Sequence, residues 1–400
     1  MLPAAYRSLL DIRPARLPLL ASIIGRLPIA LSGLGAIFLV RAETGSFADA
    51  GLIEAFYTIG AAFGLPAQGR LVDRLGQTRV VVPASCASAA AMGAFVVAAR
   101  GGASVAVMGI VILVAGLTFP PLSQCMRALW SDLLDDQDAL QSAYALDAVV
   151  LEVAFISGPL LAAIVAASAS PSAAVILGAA LTLCGGVMFG LSAASRSWRA
   201  AGAPAHWAGP LRSSGIWVLV GTSLGFGLAN GALALALTAF GHQHDATEIV
   251  GPFISIQAAA SMIGGIWYGA RRWSRPPEDR YPRLIFLFAL GFVPLVFAGS
   301  LPVMGVVMVI SGLAIAPAAA VEYVLIDRLA PSGTSTEAFG WVITATVLGS
   351  GVGSAIGGAA VNGGHIRLGF LLALGGAVLA WASSSIGRPA LRSQPEPSRA

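Results

Sequence analysis

Residues 69–79 read Gly-Arg-Leu-Val-Asp-Arg-Leu-Gly-Gln-Thr-Arg and form a compact charged turn between two apolar runs. Each of these runs is long enough to cross a lipid bilayer as a helix. Soluble proteins rarely place a cluster of charges between two such runs, whereas a membrane protein needs a polar turn wherever its chain leaves the bilayer. The segment therefore predicts two membrane-spanning helices that are joined at a membrane surface.

The composition of the whole chain also indicates a membrane protein. Of its 400 residues, 57% are hydrophobic and only 10% are charged, and the mean hydropathy is +0.83. A soluble globule of this size needs far more charge to cover its surface. The sequence therefore predicts an all-α integral membrane protein and argues against a soluble enzyme.

Twelve apolar runs are long enough to span the membrane. At about 1.5 Å of rise per residue, about 20 helical residues cross a hydrocarbon core of about 30 Å. The predicted spans cover residues 17–40, 47–66, 80–99, 104–126, 142–168, 172–193, 215–240, 249–269, 284–300, 302–325, 337–361 and 366–386.

The basic residues predict the orientation, and all 23 of them are arginine. If both chain ends lie inside, only Arg41, Arg100 and Arg367 fall on the outer side, and the other twenty lie on the inner side or within the first span. This asymmetry follows the positive-inside rule. The sequence therefore predicts a multi-pass protein of the cytoplasmic membrane with both termini in the cytoplasm. The membrane topology then explains the net charge of +4, which does not indicate a nucleic-acid partner.

The chain contains an internal repeat at an offset of 196 residues. A constant offset that includes a proline implies two six-helix halves with the same topology. The predicted division is 1–194 for the first half, 195–214 for a cytoplasmic connector, 215–388 for the second half and 389–400 for a disordered tail. The matching pairs are Gly25 with Gly221, Gly35 with Gly231, Gly69 with Gly265, Gly116-Leu117 with Gly312-Leu313, and Pro121 with Pro317.

The charged turn also resembles a known motif. Its spacing, Gly-x-x-x-Asp-Arg-x-Gly-x-x-Arg, is similar to that of the loop between helices two and three of the major facilitator superfamily, a large group of secondary transporters. Gln77 departs from the family pattern, which often has a basic residue there. The resemblance implies the major facilitator fold, with twelve transmembrane helices in two halves related by pseudo-two-fold symmetry.

The resemblance further implies a cytoplasmic gate. In the family, the acid that corresponds to Asp73 contacts the start of helix eleven in the other half and holds the cytoplasmic side closed. That helix is predicted to begin near Glu337 here. The alternative is that the charges of the turn only fix the topology. The gate candidates are Gly69, Asp73, Arg74, Gly76, Arg79, Arg127, Glu322 and Glu337.

The fifth predicted helix carries a second motif. Residues 154–163 resemble the antiporter motif of the superfamily, Gly-x-x-x-Gly-Pro-x-x-Gly-Gly, with Ala in place of three glycines and with Gly158 and Pro159 present. In family members this feature accompanies export rather than uptake. A Gly-Pro pair also bends a helix and frees backbone groups wherever it occurs in a membrane. The resemblance therefore implies an exporter.

Charged residues inside the spans are the strongest candidates for transport chemistry, because each is costly in the bilayer unless it is paired or faces water. Arg26 and Asp147 lie at a similar depth, so they either form a structural ion pair or take part in transport. Glu54 and Glu152 are the leading proton sites, because burial favours the protonated form of a carboxyl group and a cationic neighbour favours the ionised form, so that such a group can alternate between the two.

Three further polar residues inside the spans, Tyr57, Asn230 and Gln257, are candidates for contacts with substrate. Buried hydrogen-bonding residues also serve purely structural roles. Glycines repeat every four residues at Gly60 and Gly64, and again along residues 349–357. Such rows allow close helix packing, and we expect them at the interface between the halves.

Signals for metals and cofactors are weak. The three cysteines lie far apart in apolar helices, and the outer-loop cluster of His242, His244, Asp245 and Glu248 lacks good ligand spacing. No Gly-x-x-x-x-Gly-Lys phosphate loop is present in the sequence. We therefore predict no cofactor, no bound metal and no catalytic residue.

These observations together predict a secondary active transporter that exports a small organic molecule or drug in exchange for protons by alternating access. Its partners are then the substrate, protons and the lipid bilayer, and we expect a monomer. Two alternatives stay open. One is an uptake symporter or uniporter of a small metabolite, and the other is a membrane receptor or scaffold that keeps the fold without transporting.

Overall fold

The structure is a computed structural model that describes residues 4–200, 208–245, 250–362 and 366–392. This described part is helical and contains no strand. Twelve of its helices are long and apolar enough to cross a membrane. The prediction of an all-α protein with twelve spans is therefore confirmed.

The spans, numbered in chain order, are Arg13–Thr44, Asp49–Leu75, Gln77–Arg100, Val105–Leu133, Gln137–Ser168, Pro171–Gly190, Ser214–Gln243, Val250–Gly269, Pro277–Phe297, Leu301–Leu329, Ser335–Val361 and Ile366–Ile386. Spans 1, 4, 9 and 10 are each built from two helices, namely Arg13–Arg26 with Pro28–Thr44, Val105–Leu117 with Leu122–Leu133, Pro277–Phe292 with the 3-10 helix Val293–Phe297, and Leu301–Gly312 with Ile315–Leu329. Shorter helices are Ala4–Asp11, Ala193–Ser197, Gly209–Arg212 and Arg388–Arg392.

The even number of spans places both ends of the chain on one side of the bundle, which we call the terminal face; the other side is the opposite face. Spans 1–6 and spans 7–12 form the two halves. The halves meet where span 2 packs on span 11 and where span 5 packs on spans 8 and 10. A continuous core that includes Trp130, Tyr144 and Phe339, all fully buried, fills the space between the halves on the terminal side.

The charged turn at residues 69–79 is shorter than the sequence predicts. Span 2 continues as a helix through Leu75 and the next helix begins at Gln77, so that only Gly76 separates them. Gly76 has a φ of +87°, which a residue with a side chain rarely adopts. The charged residues therefore extend the helices past the apolar core instead of forming a loop.

The glycine rows of spans 2 and 11 pack within the halves, contrary to the expectation that they lie between them. Gly60 and Gly64 lie against the backbone of span 4, and Gly349, Gly353 and Gly357 lie against the backbone of span 7. Sequence spacing reveals that a small face exists but does not fix which neighbour it faces. These glycines therefore permit close packing of helices within each half.

Short helices lie within the predicted connector and at the start of the predicted tail. The connector 195–214 includes the 3-10 helix Gly209–Arg212, and its residues 201–207 lie outside the described part. Residues 389–392, which the sequence assigns to the tail, lie in the helix Arg388–Arg392. The reason is a pair of ion pairs, from Arg388 and Arg392 to Asp279 at 2.6 and 2.9 Å. Residues 393–400 lie outside the described part.

Close packing of span 11 on span 2 predicts the effect of adding one methyl group. A Cβ at Gly340 would lie 2.7 Å from Cα of Pro66, so Gly340→Ala forces the two spans apart. We expect a loss of about 1–3 kcal/mol, as for other overpacked sites, and a lower melting temperature of the purified protein. Gly351→Ala is the matched control, because nothing lies within 4 Å of a Cβ at that position of the same span. Equal melting temperatures of the two variants would contradict the packing.

Candidate functional site

A cavity of about 690 Å³ lies between the two halves. Nine spans contribute to its walls, which are spans 1, 2, 4, 5 and 7–11. Most of the lining residues are apolar, and aromatic side chains come from both halves, including Phe119, Phe155 and Phe226. A mainly apolar cavity with a few polar groups is typical of a small-molecule site.

Three glutamates line this cavity: Glu54 from span 2, Glu152 from span 5 and Glu322 from span 10. None of them forms a salt bridge with an arginine of the described residues. Carboxyl groups at membrane depth that lack a cationic partner are costly and usually functional. These three are therefore available to protons or to a cationic group of a substrate.

Glu54 has the weakest hydrogen bonding of the three. Its Oε1 receives a long hydrogen bond of 3.5 Å from Thr58, and its buried Oε2 has no partner among the described residues. The carboxyl group rests against Gly33 of span 1, where a Cβ would come within 2.8 Å of both oxygens. A side chain at position 33 would therefore displace the Glu54 carboxyl group from its present place.

Glu152 connects the two halves. Its Oε1 accepts a hydrogen bond of 2.6 Å from the hydroxyl of Ser261 in span 8. The same hydroxyl accepts a hydrogen bond of 3.0 Å from the backbone N–H of Ala316, in the second helix of span 10. A change in the charge of Glu152 therefore acts directly on a contact between span 5 and spans 8 and 10.

The interruptions of spans 4 and 10 are both stabilised by polar side chains of neighbouring spans. Gln68 donates hydrogen bonds from Nε2 to the carbonyls of Leu117 and Phe119, at 2.8 and 3.0 Å. Ser261 accepts from Ala316 at the equivalent interruption of span 10. Backbone groups that leave a helix inside a membrane need such partners. The repeated pairs Gly116-Leu117 and Gly312-Leu313 lie where the first helix of each of these spans ends. The internal repeat of the sequence therefore corresponds to a repeated feature of the structure.

Glu322 faces the cavity, whereas the sequence analysis assigned it to the gate. Its Oε1 accepts hydrogen bonds from Ser223 at 2.6 Å and from the Tyr281 hydroxyl at 2.7 Å. The helix Ile315–Leu329 ends two turns farther on, at Asp327 and Arg328, so the charged end of this helix lies beyond Glu322. Glu322 therefore lies deeper in the bundle than the charged end of its own helix.

Arg26, Asp147 and Arg127 form a buried triad beside the cavity. Arg26 Nη2 lies 2.5 Å from Asp147 Oδ1, and Arg127 Nε lies 2.7 Å from Asp147 Oδ2. All three side chains are at most 2% exposed. Both arginines line the cavity and Asp147 lies behind them. One carboxylate thus compensates two guanidinium groups, and the triad carries a net positive charge.

Arg127 does not reach the gate, although the sequence analysis named it as a gate candidate. Its guanidinium lies 3.6 Å from the centre of the Tyr323 ring and bonds to Asp147. The Asp147 carboxylate and the face of an aromatic ring are both favourable neighbours for this cation. Arg127 is therefore part of the cavity wall.

The three polar candidates of the spans also line the cavity. Tyr57 contacts Phe119 edge to face, with ring centres 6.5 Å apart. Asn230 donates from Nδ2 to the carbonyl of Phe226 at 2.9 Å, and Gln257 donates to the hydroxyl of Ser311 at 3.0 Å. These local bonds hold both amides in place, and each amide oxygen is left for other partners.

Asp73 caps a helix of the other half at the terminal face. Its Oδ1 accepts a hydrogen bond of 3.2 Å from the backbone N–H of Thr336, and its Oδ2 accepts one of 2.9 Å from that of Glu337. These N–H groups lie in the first turn of span 11, where the helix dipole also favours a negative charge. The contact between Asp73 and the start of this helix, expected from the family resemblance, is present.

Arg70 completes this closure and was not among the predicted gate residues. Its Nε and Nη2 bind both oxygens of Glu337, at 2.9 and 2.6 Å. Gly69 permits the approach, because a Cβ there would lie 2.7 Å from the carbonyl oxygen of Thr336. Arg74 and Arg79 are exposed and form no salt bridge with described residues. Arg70 and Asp73 are three residues apart on one continuous helix, so both lie on the face that meets the start of span 11.

The motif of span 5 lies against span 1 at the wall of the cavity. A Cβ at Gly158 would come within 3.1 Å of the Leu27 carbonyl and the Leu31 nitrogen, so glycine permits close contact with span 1. Leu27 is the residue at which span 1 is interrupted. Pro159 lines the cavity itself.

Further polar contacts join the halves on the terminal side. The Tyr6 hydroxyl donates to the carbonyls of Gly265 and Ile266 at 3.2 and 3.1 Å, and Ser142 donates to the carbonyl of Gly269 at 2.8 Å. The contacts of Asp73 and Arg70 also lie on this side, whereas that of Glu152 lies at the cavity itself. The structure is therefore closed on the terminal side of the cavity.

No group of three or more His, Cys, Asp or Glu side chains in the described part of the chain is placed to hold a metal. His244 is within hydrogen-bond distance of its own helix, with Nδ1 2.9 Å from the carbonyl of Phe240. Glu248 of the outer-loop cluster lies outside the described residues.

The family model described as Major Facilitator Superfamily matches residues 19–277. The chain belongs to the major facilitator superfamily. No curated protein matches this member of the superfamily. Its fold is that of solved transporters of low sequence identity, and it is a transporter and not an enzyme. The identification confirms the predicted fold of twelve helices in two halves.

Three solved structures illustrate this similarity. The human organic anion transporter MFSD10 (TETRAN) is 16% identical, with 96% of this chain and 100% of that chain covered and a TM-score of 0.71. A bacterial homologue of the iron transporter ferroportin in an outward-facing state is 15% identical, with coverage of 94% and 99% and a TM-score of 0.73. The Escherichia coli fucose:proton symporter FucP is 13% identical, with coverage of 93% and 99% and a TM-score of 0.71. At these identities the similarity shows the fold.

Six residues with contacts at the site were not predicted from the sequence, namely Thr58, Arg70, Ser223, Ser261, Tyr281 and Tyr323. Arg70 lies inside the quoted motif and could have been found from its spacing to Asp73. The others are single polar or aromatic residues in apolar helices. Their roles depend on the rotation of each helix, which the sequence does not fix.

Proposed function

We propose that this transporter exports a small organic molecule in exchange for protons by alternating access. The observation that carries the proposal is the hydrogen bond from Ser261 to Glu152, because it joins a carboxyl group in the cavity to the other half of the protein. Protonation of Glu152 removes the charge that strengthens this bond. Proton binding and movement of the halves are then linked.

The proposed location is the cytoplasmic membrane, with the terminal face in the cytoplasm. It is supported by the arginines, of which only Arg41, Arg100 and Arg367 belong to the opposite side. The closed contacts then lie on the cytoplasmic side, and the cavity exchanges with the outside in this conformation. The proposed units are the two halves, 1–194 and 215–388, which rock about the cavity as in other transporters built from repeats.

Export is supported by the motif of span 5. Gly158 and Pro159 lie where span 5 meets the interruption of span 1, so a bend there changes the wall of the cavity. Proton-coupled uptake is the second candidate, and it is favoured by one specific similarity, since the solved FucP structure with this fold is of a fucose:proton symporter. These three solved structures are of an organic anion transporter, a bacterial homologue of the iron transporter ferroportin and a fucose:proton symporter, so the fold leaves the substrate open.

Transport is tested with the purified full chain in liposomes under an imposed pH gradient. A mixed library of drugs and metabolites is added, and the contents are measured by mass spectrometry against empty liposomes. Export by antiport predicts that at least one compound moves opposite to the protons and that Glu54→Gln or Glu152→Gln abolishes this movement. Movement in the same direction as the protons would replace export by uptake. Movement of a compound at the same rate with and without the pH gradient would contradict proton coupling.

The gate predicts a change in the accessibility of a native thiol. Cys125 is fully buried in span 4, and its carbonyl accepts a hydrogen bond from Gln77 of the charged turn. Asp73→Asn removes the negative charge that caps span 11. Because hydrogen bonds to charged groups contribute about 1.5–3 kcal/mol, we expect the open population to rise about tenfold or more. Maleimide labelling of Cys125 should accelerate accordingly.

This labelling experiment is done in a background in which Cys86 and Cys184, both exposed, are replaced by serine. Asp135→Asn is the matched control, because Asp135 is an exposed acid on the same face. A labelling rate of Asp73→Asn equal to that of the control would show that the charge of Asp73 does not hold the terminal face closed.

A further inference from the structure

A second cleft, of about 220 Å³, lies at the terminal face and is separate from the central cavity. Its walls come from the start of span 5, the loop that joins spans 8 and 9, the start of span 9 and the end of span 10. Both halves of the protein thus contribute to it. Its polar lining residues include Gln137, Gln141, Arg275, Arg280 and Arg328.

Arginines outnumber acids in the lining of the cleft, and Glu278 and Asp327 act on Arg280 and Arg328 from outside this lining. Arg275, Arg280 and Arg328 line it, and none of them forms a salt bridge with a described residue. The one acid in its lining, Asp138, lies 3.3 Å from Nε of Arg272 outside the cleft. Three cations and one already paired acid leave the cleft suited to an anion.

Arg280 is the buried arginine of this cleft, whereas Arg275 and Arg328 are exposed. The side chain is only 8% exposed, and its Nη1 donates to Gln141 Oε1 at 2.6 Å and to the Tyr268 hydroxyl at 2.5 Å. Its Nε is buried and has no hydrogen-bond partner among the described residues. A buried cation is costly unless an anion or a full set of acceptors surrounds it. Arg280 has neutral acceptors only, and an unused donor.

We propose that this cleft binds a phosphate group, either that of an anionic phospholipid or free phosphate. Arginine binds phosphate through two parallel N–H groups and is preferred where such an anion is recognised. Basic pockets between transmembrane helices at the membrane surface are typical sites for phosphorylated headgroups. Because both halves line the cleft, a bound phosphate stabilises the conformation that is closed on the terminal side.

The proposal is tested with the full chain purified in detergent. Equimolar phosphatidylglycerol and phosphatidylcholine are added, and the retained lipid is identified by native mass spectrometry. In parallel, the melting temperature is followed as sodium phosphate replaces sodium chloride at constant ionic strength. The variant is Arg275→Gln with Arg328→Gln, both exposed residues whose loss leaves the buried Arg280 in place. The charge-matched control is Arg196→Gln with Arg271→Gln, on the same face but outside the cleft.

We expect the wild type and the control to bind the phosphate-bearing probe, and the cleft variant to bind it at least about tenfold more weakly, since each lost contact is a charged hydrogen bond. Selective retention of phosphatidylglycerol without a response to free phosphate assigns the site to a lipid headgroup. A rise in melting temperature with sodium phosphate assigns it to the free anion. The proposal is overturned if the cleft variant matches the control in both measurements, or if the wild type responds to neither probe.

Discussion

Glu152→Gln is expected to abolish proton-driven accumulation of the substrate while the protein still exchanges substrate down its own gradient. Glu152 is the carboxyl group of the cavity that bonds across the halves, through Ser261. Glutamine keeps the size and the hydrogen-bonding capacity of the side chain but cannot carry a proton. A pH gradient of one unit drives at most about tenfold accumulation for each proton exchanged, and in the variant this ratio should fall to about one.

Two control variants distinguish a loss of proton coupling from a general loss of transport activity. Glu43→Gln removes an exposed acid near the opposite end of span 1, and it should leave the accumulation ratio unchanged. Ser261→Ala removes the partner of Glu152 but keeps the titratable group, so accumulation should persist at a lower rate. Unchanged accumulation in Glu152→Gln would contradict a coupling role for this residue and would transfer that role to Glu54 or Glu322.

Asp147→Asn is expected to destabilise the folded protein by about 3–5 kcal/mol, the typical cost of leaving a buried charge without its partner. Asp147 is fully buried and holds Arg26 at 2.5 Å and Arg127 at 2.7 Å. Its loss leaves two buried guanidinium groups that repel each other. We expect a much lower melting temperature in detergent and a lower yield of the protein from membranes.

Asp138→Asn is the matched control, because Asp138 lies in the same span, is 45% exposed and pairs with an 89% exposed arginine. Surface pairs of this kind contribute about 0–1 kcal/mol. Removing one of the unpaired charges, as in Asp147→Asn with Arg26→Met, should recover part of the loss. Equal melting of Asp147→Asn and Asp138→Asn would show that the triad contributes little to stability.

Much of the site could be predicted because the bilayer penalises charge. Depth alone selects Arg26, Glu54 and Glu152 as candidates, and all three line the central cavity. Asp73 was found from the spacing of a motif, and its partner at the start of span 11 follows from the same resemblance. In each case one strong physical constraint acts on one residue, so no knowledge of its neighbours is required.

The residues that were misplaced depend on helix rotation and side-chain reach. Arg127 and Glu322 were assigned to the gate from their positions near helix ends, but both face the cavity. Gly349 and Gly353 were expected between the halves and pack on span 7 instead. A helix presents a new face with every residue, about 100° around its axis, so hydropathy along the chain does not determine which neighbour a side chain meets.

The most direct test of proton-coupled export is the proton flux that substrate itself drives. Liposomes that contain the purified protein and a pH-sensitive dye receive the compound found in the library experiment, without any imposed pH gradient. Antiport predicts that a gradient of this compound moves protons in the opposite direction, with no flux in Glu152→Gln. Substrate movement without a change in internal pH, or with protons moving in the same direction, would contradict the proposed exchange.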